Sequence, residues 1–504
     1  MRDLLIGLDV GTSSLKALLC DASGRVLATS HAEYPLATPH PGWSEQDPDL
    51  WVRAAHQAIP RLLTQAGVSG LRVAAIGMDG QMHGAVLLDR HGAPVRPAIL
   101  WNDSRSAPEC EELTAQIGAE QILARTGNRL LPGFTAPKIA WVQRHELDNW
   151  ARTAQILLPK DYLRYKLGGA YATDVSDASG TLYFDVQHRT WSTDMLRDLR
   201  IAEALVPQAH ESAQVVDKLN AAAARATGLT EGTPLIAGAG DQAAGAVGTG
   251  IVDPGRLSCV LGTSGVIFAA SDTYRSSPGG ALHAFCHAVP QRWHVMSVML
   301  AAAGSFRWFA QTLAHQPTPA SDWAERLDAL AQTAPAGCEG LVFLPTLAGE
   351  RCPYPDPRTT GSFANMNLSH EPQHFARAVM EGVTASMALC LQLIRNAGVP
   401  VQELAISGGG FNSPFWTQCC ADAFGAPLVR MTSSDGAALG SALLASVGAG
   451  LHRTVQEAVA TVQVTARTQP DPSRHDFWNS LALRQQALHA ALAAWQRAHP
   501  SSVG

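Results

Sequence analysis

The feature that most constrains the fold is a glycine-hydroxyl turn that occurs twice. Residues 10–19 read VGTSSLKALL and residues 261–270 read LGTSGVIFAA, and apolar strand patterns flank both turns. The copies are half a chain apart in a sequence of 504 residues. The repeat predicts two similar domains, each starting its sheet with the same hairpin, with a cleft between them. Chance remains an alternative, because short glycine motifs recur without common structure.

Strand and helix patterns alternate along the whole chain. Residues 4–30 read as three short apolar strands joined by turns, residues 49–66 as a helix, and residues 73–78 as another strand. Mixed patterns of this kind predict an α/β fold. We expect an N-terminal domain of residues 1–245 and a C-terminal domain of residues 246–504, whose final helix is a candidate for packing back on the first domain.

With 46% hydrophobic and 16% charged residues, the chain is typical of a globular, multi-domain protein. The net charge is -6 and the calculated pI is about 6.3, and no run of Lys and Arg forms a stripe for tracking phosphates. We therefore expect no nucleic-acid partner. The chain starts directly with a strand pattern and shows no uninterrupted apolar run of about 20 residues, which predicts no membrane span and a cytoplasmic location.

Three glycine-rich turns are candidates for nucleotide binding, because glycine lets phosphates, ribose or base approach the backbone closely. These candidates are Gly11, Thr12, Ser13 and Ser14 in the first turn, Gly262 and Thr263 in the second, and Gly408, Gly409, Gly410 and Asn412 in the third. No Walker-type motif or dinucleotide fingerprint is present, so a different phosphate-binding architecture is required. Plain hairpin turns and a plain strand-to-helix loop are the alternatives.

Two aspartates, Asp9 and Asp241, each end an apolar strand beside glycine. Strand ends of this kind commonly face a cleft. Phosphoryl transfer to a hydroxyl needs one carboxylate to accept the alcohol proton and another acidic group to organise Mg²⁺ over the phosphates. The alternative for Asp241 is that it only caps the helix that follows.

A polar pocket is predicted where two further strand patterns end. Its candidate residues are Gln81, Met82 and His83 after the strand at 73–78, and Trp101, Asn102 and Asp103. Amide, imidazole, indole and carboxylate groups together suit a polyhydroxylated ligand, with hydrogen bonds at its edges and an aromatic wall. A buried structural histidine is the alternative for His83.

At this point the sequence resembles the FGGY carbohydrate kinases. Residues 133–145, GFTAPKIAWVQRH, match the first signature of that family, and residues 361–381 resemble the second, with Asn365 in place of a glycine. The resemblance covers nearly the whole chain. It implies two ribonuclease-H-like domains of the actin, Hsp70 and hexokinase superfamily around a central cleft, with ATP and Mg²⁺ as cofactors. A homodimer is plausible from the resemblance only.

The resemblance also implies roles for the candidate residues. Asp241 would be the general base for the sugar hydroxyl, and Asp9 would position Mg²⁺ through the phosphates. Gln81, Met82, His83, Trp101, Asn102 and Asp103 would bind the sugar, and the three glycine-rich turns would bind ATP. Residues 81–84 and 173–180 resemble the family members that phosphorylate D-xylulose to D-xylulose 5-phosphate. The alternatives are a kinase of another ketose or polyol, such as ribulose, erythritol or glycerol, and a non-catalytic sugar-responsive ATP-binding protein.

Overall fold

The computed structural model describes residues 2–313, 323–356, 358–432 and 436–499. Its first half contains strands β1 Leu4–Val10, β2 Ser14–Asp21, β3 Val26–Glu33, β4 Glu45–Gln46, β5 Val73–Gly80, β6 Val86–Leu88, β7 Ala98–Ile99, β8 Gln155–Leu157, β9 Ala172–Asp174, β10 Phe184–Asp185, β11 Thr190–Trp191, β12 Gln208–His210, β13 Val215–Lys218, β14 Pro234–Ile236 and β15 Ala239–Gly240. Its helices are α1 Asp49–Ala66, α2 Ala107–Ile117, α3 Ala119–Thr126, α4 Thr135–His145, α5 Leu147–Arg152, α6 Pro159–Leu167, α7 Val175–Ala178, α8 Thr193–Asp198, α9 Ala221–Thr227 and α10 Asp241–Gly248.

The second half contains fewer and longer elements. Its strands are β16 Gly255–Leu261, β17 Gly265–Ser271, β18 His283–Cys286, β19 Trp293–Met299, β20 Val342–Leu344, β21 Ser362–Ala364, β22 Val401–Ser407, β23 Leu428–Met431 and β24 Val464–Thr468. Its helices are α11 Ala303–Thr312, α12 Trp323–Thr333, α13 Pro372–Asn396, α14 Pro414–Phe424, α15 Gly436–Gly448, α16 Val455–Ala458 and α17 His475–Ala498.

The first sheet has the order β13-β14-β5-β1-β2-β3, with β15 pairing on β5. Its centre is the antiparallel hairpin β1-β2, and β5 lies parallel to β1 on the other side. Ile6 and Leu8 share a buried core with Trp51 of α1, whereas Leu5, on the opposite face, shares one with Ala442 of α15. Because helices cover both faces, β1 is apolar from Leu4 to Leu8 instead of alternating. The strands predicted within residues 4–30 and at 73–78 are confirmed.

The second sheet repeats the first. The hairpin β16-β17 corresponds to β1-β2, β22 lies parallel to β16, and β19 lies antiparallel to β17. The strand orders β19-β17-β16-β22-β23 and β3-β2-β1-β5-β14 are the same, with the same directions. The prediction of two similar halves within an α/β fold is therefore confirmed, and the exact boundary at residue 245 stays a prediction.

Helix α15 follows β23 of the second sheet in the chain but packs on the first sheet. A Cβ atom added to Gly7 would lie 1.8 Å from the carbonyl oxygen of Ala438, and one added to Gly77 would lie 2.0 Å from that of Ser441. Both distances are too short for any side chain, so glycine is required where the strands β1 and β5 meet this helix. Helix α15 therefore joins the two halves by direct backbone contact.

The final helix, α17, belongs to the second half. The side-chain amide of Gln485 donates to the carbonyl oxygens of Phe343, at 3.0 Å, and Gly382, at 2.8 Å. Trp478 and Leu481 are buried in the core of the second half. It is therefore α15, and not the final helix, that returns to the first sheet.

Among the described residues, α13 is the one helix long and apolar enough to cross a membrane by length and composition. Within the protein, 72% of its most apolar window is buried. Val379 and Val383 lie in the core beneath the second sheet. Core helices of soluble proteins meet the same criterion.

Candidate active site

Three aspartates lie at the carboxyl ends of neighbouring parallel strands in the first sheet. Asp9 of β1 is in register with Asp79 of β5, and Gly240 of β15 is in register with Gly80. Asp241 follows Gly240 directly and begins α10. The structure thus brings together the two aspartates that the sequence indicated, at the sheet edge where open α/β sheets bind ligands.

Burial raises the pKa of all three carboxyl groups, and the charge of Asp9 adds to the rise at Asp79 and Asp241. Burial and the charge of Asp9 raise the pKa of Asp241 to about 7. Burial also raises the pKa of Asp9, against the lowering effect of Asp79 and the charge of Lys16. Asp79 is fully buried, and burial together with the charge of Asp9 raises its pKa well above the ordinary value. A partly exposed carboxyl group that titrates near neutrality, such as Asp241, has the property expected of a general base.

Side chains of the protein donate hydrogen bonds to the carbonyl groups of the first glycine-rich turn. Tyr34 donates its hydroxyl proton to the carbonyl oxygen of Gly11 at 2.7 Å, and Gln46 donates to that of Thr12 at 2.6 Å. The predicted residues Gly11, Thr12, Ser13 and Ser14 are all at least partly exposed. With its carbonyls occupied, the turn presents its remaining N–H groups and the hydroxyls of Ser13 and Ser14, which suit a phosphate.

Gln81 supports this turn. Its Nε2 donates to the carbonyl oxygen of Gly11 at 3.3 Å and to Oε1 of Gln46 at 3.2 Å. Its Oε1 accepts the hydroxyl of Thr12 at 3.2 Å, and that hydroxyl accepts Nε1–H of Trp101 at 3.0 Å. The amide of Gln81 is thus occupied by protein partners, whereas Trp101, at 43% exposure, keeps an open ring face.

His83 has an unusual backbone and a fixed ring. Its φ is 70°, and its carbonyl oxygen accepts a hydrogen bond from the ammonium group of Lys138 at 2.8 Å. Its Nδ1 lies 2.8 Å from the carbonyl oxygen of Gly180, which can only accept, so Nδ1 carries the proton. Burial lowers the pKa of His83 to about 3. The imidazole is therefore neutral at pH 7, and its Nε2 is an acceptor for a ligand hydroxyl.

Met82 connects this pocket to the aspartates. A Cβ atom added to Gly240 would lie 3.0 Å from the sulfur of Met82. Gly240 directly precedes Asp241, so a ligand that contacts Met82 and His83 lies beside the Asp241 carboxylate.

The remaining predicted pocket residues differ in their environments. Asp103 is 2% exposed, accepts the N–H of Ser44 at 2.6 Å and forms an ion pair with Arg105 at 2.7 Å. Its carboxylate is therefore occupied by protein groups and shapes the wall of the pocket. Asn102 is exposed.

The second and third glycine-rich turns lie against each other. A Cβ atom added to Gly408 would lie 2.7 Å from the backbone of Leu261, and one added to Gly410 would lie 2.5 Å from its side chain. Leu261 directly precedes the second turn. Thr263, Gly409 and Asn412 are exposed, and a Cβ atom added to Gly409 would meet no atom within 4 Å. The structure thus places the predicted ATP-binding residues of the second half side by side.

The donor set suits Mg²⁺ held mainly by phosphate oxygens and water. Within the described residues, no group of three or more His, Cys, Asp or Glu side chains is placed to hold a metal ion. Mg²⁺ usually takes only one or two carboxylates and completes its shell with phosphates and water. Asp9, partly exposed beside the first turn, supplies a carboxylate of this kind.

Sequence reasoning missed three residues around the site. Asp79 ends an apolar strand before a glycine, as Asp9 does, so the same signal predicts it. Lys138 is fully buried inside the first family signature, and burial lowers its pKa to about 7. Ser176 accepts the N–H of Gly240 at 3.1 Å, across 64 residues. No local pattern indicates such a distant contact.

Comparison with known proteins agrees with this geometry. The sequence model for the FGGY family of carbohydrate kinases, N-terminal domain, matches residues 4–248, and the C-terminal domain model matches residues 257–449. The chain belongs to the FGGY family of carbohydrate kinases. Membership makes it a carbohydrate kinase, with ATP and a sugar as its small-molecule partners. Its two-domain α/β architecture is the fold of this family.

Individual relatives extend over nearly the whole chain. The xylulose kinase of Escherichia coli K12 is 41% identical over 473 residues, covering 94% of this chain and 96% of the relative. The crystal structure of xylulose kinase from Rhodospirillum rubrum matches with a TM-score of 0.92 at 33% identity, covering 98% and 99% of the two chains. The structure of gluconate kinase from Lactobacillus acidophilus matches with the same TM-score at 27% identity, covering 97% and 98%.

The one departure from the second FGGY signature keeps the turn that glycine would form. Asn365 has a φ of 66°, in the left-handed region that glycine favours and asparagine tolerates better than most residues. Its side-chain amide donates to the carbonyl oxygen of Gly340 at 3.1 Å. The substitution therefore keeps the backbone conformation and adds a hydrogen bond.

Proposed function

We propose that the protein transfers the γ-phosphoryl group of ATP to the 5-hydroxyl of D-xylulose, forming D-xylulose 5-phosphate and ADP. The observation that carries the proposal is the position of Asp241, whose carboxyl group titrates near pH 7 and adjoins the pocket of Met82 and His83. The relatives named xylulose kinases support the choice of sugar.

In the proposed mechanism, each group of site residues has its own role. Asp241 accepts the hydroxyl proton as the sugar oxygen attacks the γ-phosphorus, the bond between that phosphorus and the β,γ-bridging oxygen breaks, and ADP leaves. His83 orients the sugar by accepting a hydrogen bond from a sugar hydroxyl group at Nε2. The glycine-rich turns bind the phosphates and the nucleoside, and Asp9 helps to hold Mg²⁺, which neutralises phosphate charge when bound. Closure of the domains excludes water, the competing acceptor.

A kinase of another ketose or polyol is the second candidate, because a gluconate kinase shares the fold with the same TM-score as a xylulose kinase. A non-catalytic sugar-responsive protein would not need a carboxylate titrating near neutrality beside its sugar pocket. The cytoplasmic location, the homodimer and the absence of a nucleic-acid partner remain expectations.

A substrate panel tests the proposal. Purified protein with Mg-ATP is assayed for ADP release with D-xylulose, L-xylulose, D-ribulose, L-ribulose, glycerol, erythritol and gluconate, each against a control without sugar. We expect the highest kcat/KM with D-xylulose. Preference for another sugar would reject the choice of substrate, and no sugar-dependent ADP release would reject the kinase activity.

A further inference from the structure

Arg351 belongs to the second half of the chain, between β20 and β21, and its backbone is fixed near the second glycine-rich turn. The buried carboxylate of Glu350 accepts the N–H of Leu300 at 2.9 Å and that of Arg351 at 2.8 Å through the same oxygen. Two residues after Leu300, the N–H of Ala302 donates to the carbonyl oxygen of Thr263 at 2.9 Å. Glu350 thus holds the backbone of Arg351 near the second glycine-rich turn.

The side chain of Arg351 reaches the sugar pocket of the first half. A Cβ atom added to Gly133 would lie 3.9 Å from Nη2 of Arg351 and 2.7 Å from the carbonyl oxygen of Trp101. The charge of Arg351 also contributes to the lowered pKa of His83. The guanidinium group therefore lies beside Gly133, on the side of the pocket that contains His83.

No described residue is placed to accept a hydrogen bond from the guanidinium group of Arg351. Within the parts of the chain that the structure describes, it forms neither an ion pair nor a side-chain hydrogen bond, although Arg351 is only partly exposed and burial lowers its pKa. Arg105, in the wall of the same pocket, is paired with Asp103 and Glu45. A partly desolvated guanidinium group with five donors needs oxygen acceptors, and the oxygens of a bound sugar can provide them.

We propose that Arg351 binds the sugar from the second domain, at the end of the sugar that His83 contacts, so that the bound sugar bridges the two domains. This role rests on the proposed sugar kinase function. It makes Arg351 a substrate-binding residue whose contacts form only when the sugar is present, and it links sugar binding to domain closure.

The test compares Arg351→Met with Arg358→Met. Arg358 lies in the same segment, and its side chain is 79% exposed and paired with Asp356, so its variant is a matched control for loss of a cation. Loss of a charge-assisted hydrogen bond predicts a rise in the sugar KM of about 10-fold or more in Arg351→Met. The ATP KM should stay within about twofold, Arg351→Lys should be intermediate, and Arg358→Met should equal the wild type. Equal melting temperatures establish that the variants are folded.

The sugar used is the one that the wild-type enzyme prefers in the substrate panel, so a wrong choice of D-xylulose would not disturb the comparison. An unchanged sugar KM in folded Arg351→Met, or a change in the ATP KM alone, would overturn the inference. Small-angle X-ray scattering tests the bridge. Saturating sugar should reduce the radius of gyration of the wild type and of Arg358→Met more than that of Arg351→Met, and equal compaction in all three would refute the bridging role.

Discussion

Asp241 is under two opposing demands at the scale of the residue. Its pKa in the folded protein, about 7, lies above its ordinary value of 3.8. The protonated form is therefore favoured by folding, and this contribution to stability is lost as the pH rises from 3.8 through about 7. In the proposed mechanism, the deprotonated form accepts the sugar proton. The charge that this mechanism requires thus destabilises the folded protein.

Replacing Asp241 by Asn should separate these demands. We expect sugar phosphorylation to fall by about 10²- to 10⁴-fold, because a positioned base is lost, while ATP binding remains. At pH 8 the variant should melt at a higher temperature than the wild type, and the difference should shrink towards pH 5. The wild-type kcat/KM should rise with pH up to about 7 and then level off. ADP-release assays and thermal melts over pH 5–9 measure these effects, and substantial residual activity in Asp241→Asn would exclude the general-base role.

His83 should affect the sugar and not the nucleotide. His83→Ala removes the Nε2 acceptor, so we expect a rise of about 10-fold in the sugar KM with little change in the ATP KM. Because the pKa of His83 is lowered to about 3, the ring stays neutral, and its contribution to the sugar KM should be constant between pH 6 and 8. Steady-state kinetics with each substrate varied in turn measure both constants. The reverse pattern, with only the ATP KM raised, would place the sugar pocket elsewhere.

Sequence patterns predicted the residues whose signal is local. Asp9 and Asp241 each end an apolar strand beside glycine, and that pattern located both. The contacts of Gln81 and the position of Arg351 depend on how separate loops meet in space. No periodicity or motif within one segment specifies a contact between separate loops. The hydrogen bonds of Gln81 and the position of the Arg351 side chain were therefore visible only in the structure.

At the scale of the element, helix α7 and the turn after it connect the parts of the site. Ser176 accepts the N–H of Gly240 at 3.1 Å and donates to Asp174 at 2.6 Å. The carbonyl oxygen of Gly180 holds the ring of His83, and Ser179 accepts the N–H of Cys286 in β18 at 3.0 Å. One short segment thus contacts Gly240, which precedes the proposed general base, the ring of His83, and the second sheet.

Ser176→Ala should weaken catalysis by releasing the Gly240–Asp241 turn. Loss of the acceptor leaves the buried N–H of Gly240 unpaired, so we expect kcat to fall by about 10-fold with a smaller change in the ATP KM. Ser179→Ala is the matched control, because Ser179 is equally buried in the same segment and contacts β18 instead. Steady-state kinetics and melting temperatures of both variants measure the effect. Equal losses of kcat and stability in the two variants would indicate a purely structural role for Ser176.

At the scale of the whole molecule, two halves of the same topology have different chemistry. Asp9 and Asp79 form a register pair in the first sheet, and the corresponding pair in the second sheet is Val260 and Ser407. Asp9 and Asp79 therefore lie in the half that contains the proposed sugar pocket, while the other half contributes two of the glycine-rich turns. The sequence repeat predicted the shared topology. The crossing of α15 onto the first sheet was not predictable, because its apolar pattern does not specify which sheet it covers.

The contact between α10 and α15 is one of the tight packing points between the halves. A Cβ atom added to Gly248 would lie 2.0 Å from the carbonyl oxygen of Gly436, whereas one added to Gly245, in the same helix, would meet its nearest atom, the backbone N of Ala437, at 4.0 Å. Gly248→Ala should therefore lower the free energy of unfolding by about 1–3 kcal/mol.

Gly245→Ala should be neutral or stabilise by up to about 1 kcal/mol, because alanine favours helix. Urea denaturation of the two variants measures the difference. Since α10 begins at Asp241, displacement of the helix in Gly248→Ala should also lower kcat, and Gly245→Ala should not. Equal stability of the two variants would show that α15 can move away from α10 at little cost, and the direct backbone contact would then not be what holds the two halves in place.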